Sequence, residues 1–139
     1  GPGVALHVSQ TLHENLGPRY RISPTMQAMV AGKVRNFYIK GADGKFSANP
    51  EALALIKQGN TASTAEQVRD RALKALATEA RMMLDEGVVS SAAEIDLCML
   101  MGSGWPMHLG GILPYLDREG ISDAVCGQRF HAPGIASLP

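Results

Sequence analysis

The stretch Met101 to Asp117, MGSGWPMHLGGILPYLD, gathers four glycines, two prolines and the only tryptophan of the chain into seventeen residues. Glycine-rich backbone can hold a phosphate, because amides without flanking side chains approach an anion closely. A dinucleotide site of that kind needs G-x-G-x-x-G directly after a strand and opening a helix. Gly102 and Gly104 are instead followed by Met107 where the third glycine should stand, and the residues before them read as helix. The phosphate loop G-x-x-x-x-G-K-[ST] is also absent from the sequence. The stretch therefore reads as a corner between buried helices. In this reading Gly102 ends a helix in the left-handed conformation, Trp105 fills the core, Pro106 stiffens the turn, and Gly110 and Gly111 let backbones approach closely.

The other side chains with chemical potential are scattered. His108 lies in the glycine-rich loop and has a charge that changes near neutral pH, but no carboxylate or nucleophile stands at a partner spacing, so it reads as structural. His7 and His13 sit about 120° apart around a helix and make no i,i+4 metal pair, while His131 stands alone near the end of the chain. No Cys/His or carboxylate cluster has ligand spacing, so no metal site is expected. Glu79 falls on the flank of an apolar helical face. Its expected role is structural, accepting hydrogen bonds from amides of the Gly102–Gly111 loop. The seven methionines read as core filling.

The elements that must position these residues are mostly helices. Val4, Val8, Leu12 and Leu16 form one i,i+4 stripe that Gly17 and Pro18 end. Ser23 caps a second helix with Pro24 at its first position, Met26, Met29 and Val30 inward, and Gly32 as the stop. The run NFYIKGADGKF flanks an Asp43-Gly44 turn and predicts a two-stranded ribbon. Asn49-Pro50 starts a third helix carrying Leu53 and Ile56 and stopping at Gly59. QGNTAS is a polar break, which predicts two units, residues 1–60 and 61–139. Ser63 and Glu66 form a capping box for the longest helix, with Val68, Ala72, Leu76, Ala80 and Met83 inward and a stop at Gly87. Ser91 and Glu94 make a second box for a helix apolar on most sides and hence buried. A short helix through Ile112, Leu113, Tyr115 and Leu116 ends at Gly120. Ser122 caps a last one, and the tail HAPGIASLP is irregular. Short helices with one ribbon and no βαβ alternation predict a mainly α fold.

Whole-chain properties narrow the function classes. Thirteen Lys and Arg balance thirteen Asp and Glu in 139 residues, which argues against nucleic acid or an anionic membrane as partner. No apolar run approaches the ~20 residues of a transmembrane helix. Cys98 and Cys126 lie outside any CxxC arrangement, so a reducing cytoplasm is the expected compartment.

Glu79 to Gly120 resembles the second C-terminal helical repeat of the multifunctional 3-hydroxyacyl-CoA dehydrogenases, the α-subunits of fatty-acid oxidation complexes. The carrying residues are Thr78-Glu79, where that family has Asn-Glu, Asp85-Glu86-Gly87, Ser91 to Glu94, Gly102-Ser103-Gly104-Trp105-Pro106, Gly110-Gly111 and Tyr115-Leu116-Asp117. The preceding residues, ending in NFYIK, resemble the end of the first repeat. The resemblance implies a helical bundle of that C-terminal domain type and a role in β-oxidation: packing, pseudo-dimerisation and cleft closure for an NAD-dependent dehydrogenase that is also an enoyl-CoA hydratase. It further implies a chain cut from the C-terminal part of a longer protein. NAD would bind outside this chain, and the implied partners are upstream dehydrogenase and hydratase domains, a thiolase subunit and acyl-CoA substrate. No catalytic residue of the family maps onto this sequence. The alternatives are a freestanding helical protein-interaction module without catalytic activity and, third, a small-molecule binder using the Trp105 loop.

Overall fold

The computed structural model describes residues 1–56, 59 and 61–135. Part of the QGNTAS break, Gln58 and Asn60, and the last residues of the tail, 136–139, lie outside the described residues. The chain divides into two units, Gly1–Thr61 and Ala62–Pro139. It is mainly helical, with one small antiparallel ribbon among the described residues, as the sequence predicts.

The first unit holds α1 (Pro2–Leu16), α2 (Pro24–Ala31), β1 (Tyr38–Lys40), β2 (Phe46–Ala48) and α3 (Pro50–Leu55). Ser23 caps α2 by accepting from the Met26 amide at 3.3 Å. Asn49 caps α3 by accepting from the Glu51 amide at 3.1 Å, and its amide group donates to the Asn36 carbonyl at 2.9 Å. That second bond ties α3 to the chain entering the ribbon. Tyr38 pairs with Ala48, Ile39 with Ser47 and Lys40 with Phe46. The turn closes where Gly44 takes φ +80° and the Asp43 carboxylate accepts from the Lys45 amide.

Three expectations fail in this unit. α1 buries Pro2 and Leu6, whereas Val4, Val8 and Leu16 of the expected stripe are exposed. Both sets have i,i+4 spacing, and the choice between them is made by α2, whose fully buried Met29 belongs to the helix that packs on α1. Val30, expected inward, is exposed. α3 stops at Leu55, with Ile56 already extended, before Gly59.

The second unit holds α4 (Ala65–Asp85), α5 (Ala92–Gly102), a 3-10 turn (Met107–Leu109), α6 (Ile112–Arg118) and α7 (Ile121–Cys126). Its core is Leu73, Ala77 and Ala80 from α4, Ile95 from α5, Leu113 and Leu116 from α6, with Ile112 and Ile121 completing it. The small Ala77 lets α7 lie close against α4, and the Cys126 thiol reaches the Ala77 carbonyl at 3.7 Å.

Several local expectations are corrected here. The capping box of α4 is Thr64 with Gln67, one residue beyond Ser63 and Glu66: the Gln67 amide donates to Thr64 Oγ1, and the Thr64 amide to Gln67 Oε1. The sequence carries the S/T-x-x-E/Q pattern in two overlapping registers, and the second is used. Ser91 precedes α5 without a side-chain cap, because Glu94 turns back onto Ser90, accepting from its amide at 2.8 Å and its hydroxyl at 2.6 Å. Val68, Ala72 and Leu76 are exposed, since α4 turns Leu73 and Ala77 toward α7. α5 is buried only at Ile95 and Asp96, and leaves Leu97, Cys98 and Met101 in solvent. Ser122 does not cap α7. It lies inside the helix, fully buried, while Gly120 at φ +70° starts the helix.

Candidate functional site

Gly102 is the last residue of α5 and is helical; the left-handed residue of the loop is Gly104, at φ +71°. The helix ends at Gly102 as expected, and only the left-handed conformation expected there is corrected. Pro106 follows Trp105 through a trans peptide bond and leads into the 3-10 turn that carries the exposed His108. Trp105 is half-buried against the core and meets Tyr115 of α6 edge to face, with ring centroids 5.3 Å apart. Such pairs contribute about 0.5–1.5 kcal/mol beyond their buried area. The Tyr115 hydroxyl accepts from Arg69 of α4, which also pairs with Glu119 at 2.8 Å. The bond it donates to Glu119, then the one it donates to Tyr115, raises the Arg69 pKa above its ordinary value. Arg118 lies over the Tyr115 ring and donates to the Leu109 carbonyl at 2.6 Å, fixing the end of the 3-10 turn.

Gly110, at φ +74°, turns the chain into Gly111, the residue before α6. At Gly111 there is no room for a side chain: an added Cβ would overlap the Asp96 carboxyl group, with Asp96 Cβ itself only 2.8 Å away. The missing side chain lets Asp96 of α5 lie directly beneath the first turn of α6. One Asp96 oxygen accepts from the Leu113 amide at 2.8 Å, satisfying a donor that the helix start leaves free. The other oxygen meets His131 Nε2 at 2.7 Å. Both side chains are almost wholly covered.

A second buried carboxylate completes the arrangement. Asp117, at the last turn of α6 and 2% exposed, accepts from the Phe130 amide at 2.9 Å and the His131 amide at 3.0 Å. Its backbone carbonyl accepts from Arg129 at 3.3 Å. The segment after α7 is thus held down by two aspartates from two helices. Sequence reading places His131 alone; the structure gives it two aspartate partners, reached across 35 positions in one case and 14 in the other. The available signal is Asp96 itself, a carboxylate inside a helix otherwise apolar on most sides.

This geometry is suited to holding helices together. Every oxygen of Asp96 and Asp117 faces a nitrogen, three of the four an obligate amide donor. Each of these carboxylate oxygens is thus tied to the backbone or to His131, which links α5, α6 and the segment after α7. Among the described residues no group of three or more His, Cys, Asp and Glu is arranged to hold a metal ion, and no helix is long and apolar enough to cross a membrane. His7 and His13 lie on α1, where His13 Nδ1 meets the Tyr20 carbonyl. Two other groups are tuned by their surroundings. The Ser90 hydroxyl holds the Glu94 carboxyl below its ordinary pKa, and burial pushes the Cys126 thiol up.

Glu79 is half-buried on α4, on the rim of an apolar recess of about 200 Å³ between α4, α5 and α6. Leu76, Met83, Ile95, Met99 and Ile112 line the recess. The second unit's core is therefore open along this side.

Over 68 residues the chain is 34% identical to the fatty acid oxidation complex subunit alpha of Acinetobacter baumannii (strain SDF). Over 69 residues it is 35% identical to the protein of the same name from Acinetobacter baylyi. Each alignment covers 48% of this chain and 10% of the relative, so the chain spans about a tenth of the length of the curated relatives it matches. No family model and no solved structure matches the chain. These relatives carry the name of the family that the sequence resembles.

Proposed function

We propose that this chain is a helical packing region of a fatty-acid β-oxidation enzyme, a multifunctional NAD-dependent 3-hydroxyacyl-CoA dehydrogenase and enoyl-CoA hydratase. The observation that carries the reading is the 34–35% identity to two α-subunits over nearly half the chain. The buried polar groups support it, because Asp96, Asp117 and His131 are spent on backbone and on each other. NAD and acyl-CoA then bind elsewhere in the parent polypeptide, which acts in the cytoplasm beside a thiolase subunit. Here the contribution is pseudo-dimerisation and cleft closure. The open apolar recess along α4, α5 and α6 is the surface that such packing would cover, and a half-buried Glu79 at its rim limits which neighbour fits.

The coding region ahead of Gly1 tests this reading. A strand followed by G-x-G-x-x-G and a helix is expected there, with an enoyl-CoA hydratase region in the same reading frame. A start codon within a few residues of Gly1 would overturn the proposal in favour of a freestanding interaction module.

A further inference from the structure

The formal neutrality of the chain hides a segregation of charge. Residues 1–61 carry seven Lys and Arg against three Asp and Glu, and residues 62–139 carry six against ten. The first unit is therefore basic and the second acidic. Opposed charge of this kind steers association and selects its orientation.

Each unit also displays an apolar feature that its own core does not use. In the first, Phe37, Tyr38, Ala48, Ala52, Leu53 and Ile56 line a groove of about 410 Å³ between the ribbon and α3. Tyr38 is 65% exposed and Leu53 54%, and Phe46 on β2 is 71% exposed. Three of the seven aromatic residues thus lie in solvent on or beside a six-residue ribbon, where aromatic side chains are common anchors of protein interfaces. In the second unit, Leu97 and Met101 stand one turn apart on α5, 60% and 75% exposed, and Met107 follows in the 3-10 turn. Exposed methionines are adaptable apolar contacts that pair well with aromatic rings.

We infer that copies of this chain associate head to tail, the Leu97 and Met101 face of one copy's acidic unit seating in the aromatic groove of the next copy's basic unit. The two surfaces differ, so the contact is heterologous, and a joined pair keeps an unused groove on one copy and an unused face on the other. Association therefore proceeds beyond the dimer as concentration rises. Salt weakens it, because it screens the attraction between the units.

Sedimentation velocity on the full chain over a concentration series tests this, with two variants on exposed positions, Leu53→Asp in the groove and Met101→Asp on the α5 face. The expected result is a mass that grows with concentration in dilute salt, with apparent affinity falling about tenfold or more in ~0.5 M NaCl. Each variant alone stays monomeric with unchanged helical circular dichroism. Mixing the two variants rebuilds one intact contact, from the groove of Met101→Asp and the α5 face of Leu53→Asp, and gives a species that stops at the dimer. A wild-type chain that is monomeric throughout would overturn the inference. So would association that strengthens with salt, or a mixture of the variants that stays monomeric while the wild type associates.

Discussion

Two glycines of the same motif should respond to alanine in opposite directions. At Gly111 an added methyl overlaps the Asp96 carboxyl group, and Asp96 cannot retreat without leaving the Leu113 amide and the His131 ring. Overpacking of a filled site costs about 1–3 kcal/mol. Each displaced hydrogen bond to a carboxylate adds about 1.5–3 kcal/mol. Because the chain can relax one contact to save another, Gly111→Ala should destabilise the second unit by about 3–5 kcal/mol, or at least ~12 °C in its melting temperature. Gly102 is helical, and a methyl group added there would meet nothing within 4 Å. Gly102→Ala should therefore be neutral or stabilise by up to ~1 kcal/mol. Urea titration followed by circular dichroism measures both. Combining Gly111→Ala with Asp96→Ala separates the clash from a backbone effect, and the pair should couple by at least ~1 kcal/mol. A cost at Gly111 below ~1 kcal/mol, or strict additivity with Asp96→Ala, would rule out the close seating of the carboxylate.

Asp117→Ala removes the acceptor of the Phe130 and His131 amides, so the second unit should lose about 2–4 kcal/mol and trypsin should cut after Arg129 several-fold faster. Mass spectrometry of a timed digest reads the outcome. Glu94 is held below its ordinary pKa chiefly by the Ser90 hydroxyl; its contribution is present above the unfolded carboxylate value and is lost as pH falls through the folded one. Ser90→Ala should move the Glu94 titration upward by NMR and remove that part of the acid sensitivity. Cys98 is exposed, whereas burial raises the Cys126 thiol. Thiol reagents should thus modify the chain in a fast and a slow phase, the fast one vanishing in Cys98→Ser.

Local signals in the sequence carry much of this fold. Ser23-Pro24, Asn49-Pro50 and Asp43-Gly44 each specify a cap or turn within three residues, and all three form as read. Where the pattern is degenerate, tertiary contacts decide. α1 has two i,i+4 apolar faces, and the helix beside it selects Pro2 and Leu6. α5 is apolar on most sides, which reads as full burial, yet only the side bearing Ile95 and Asp96 is covered. The Asp96–His131 pair is invisible in the sequence for a different reason. Neither helical spacing nor any motif relates residues that far apart, and only the fold returns the tail to α5 and α6. Gly111 is intermediate: its type announces a close approach, but not which side chain makes it.

If the Gly102–Gly111 loop and its buried aspartates serve only to hold helices together, the loop amides bind no nucleotide. Titrating the isotope-labelled chain with NAD and, separately, with acetoacetyl-CoA, while following the backbone amides from Gly102 to Leu113, decides between the two roles. No saturable shift is expected in those amides, and no loss of NADH absorbance when the chain is given acetoacetyl-CoA together with NADH in place of NAD. Saturable shifts centred on Gly102, Gly104 and Trp105, or turnover by the chain alone, would make the loop a ligand site and end the structural assignment.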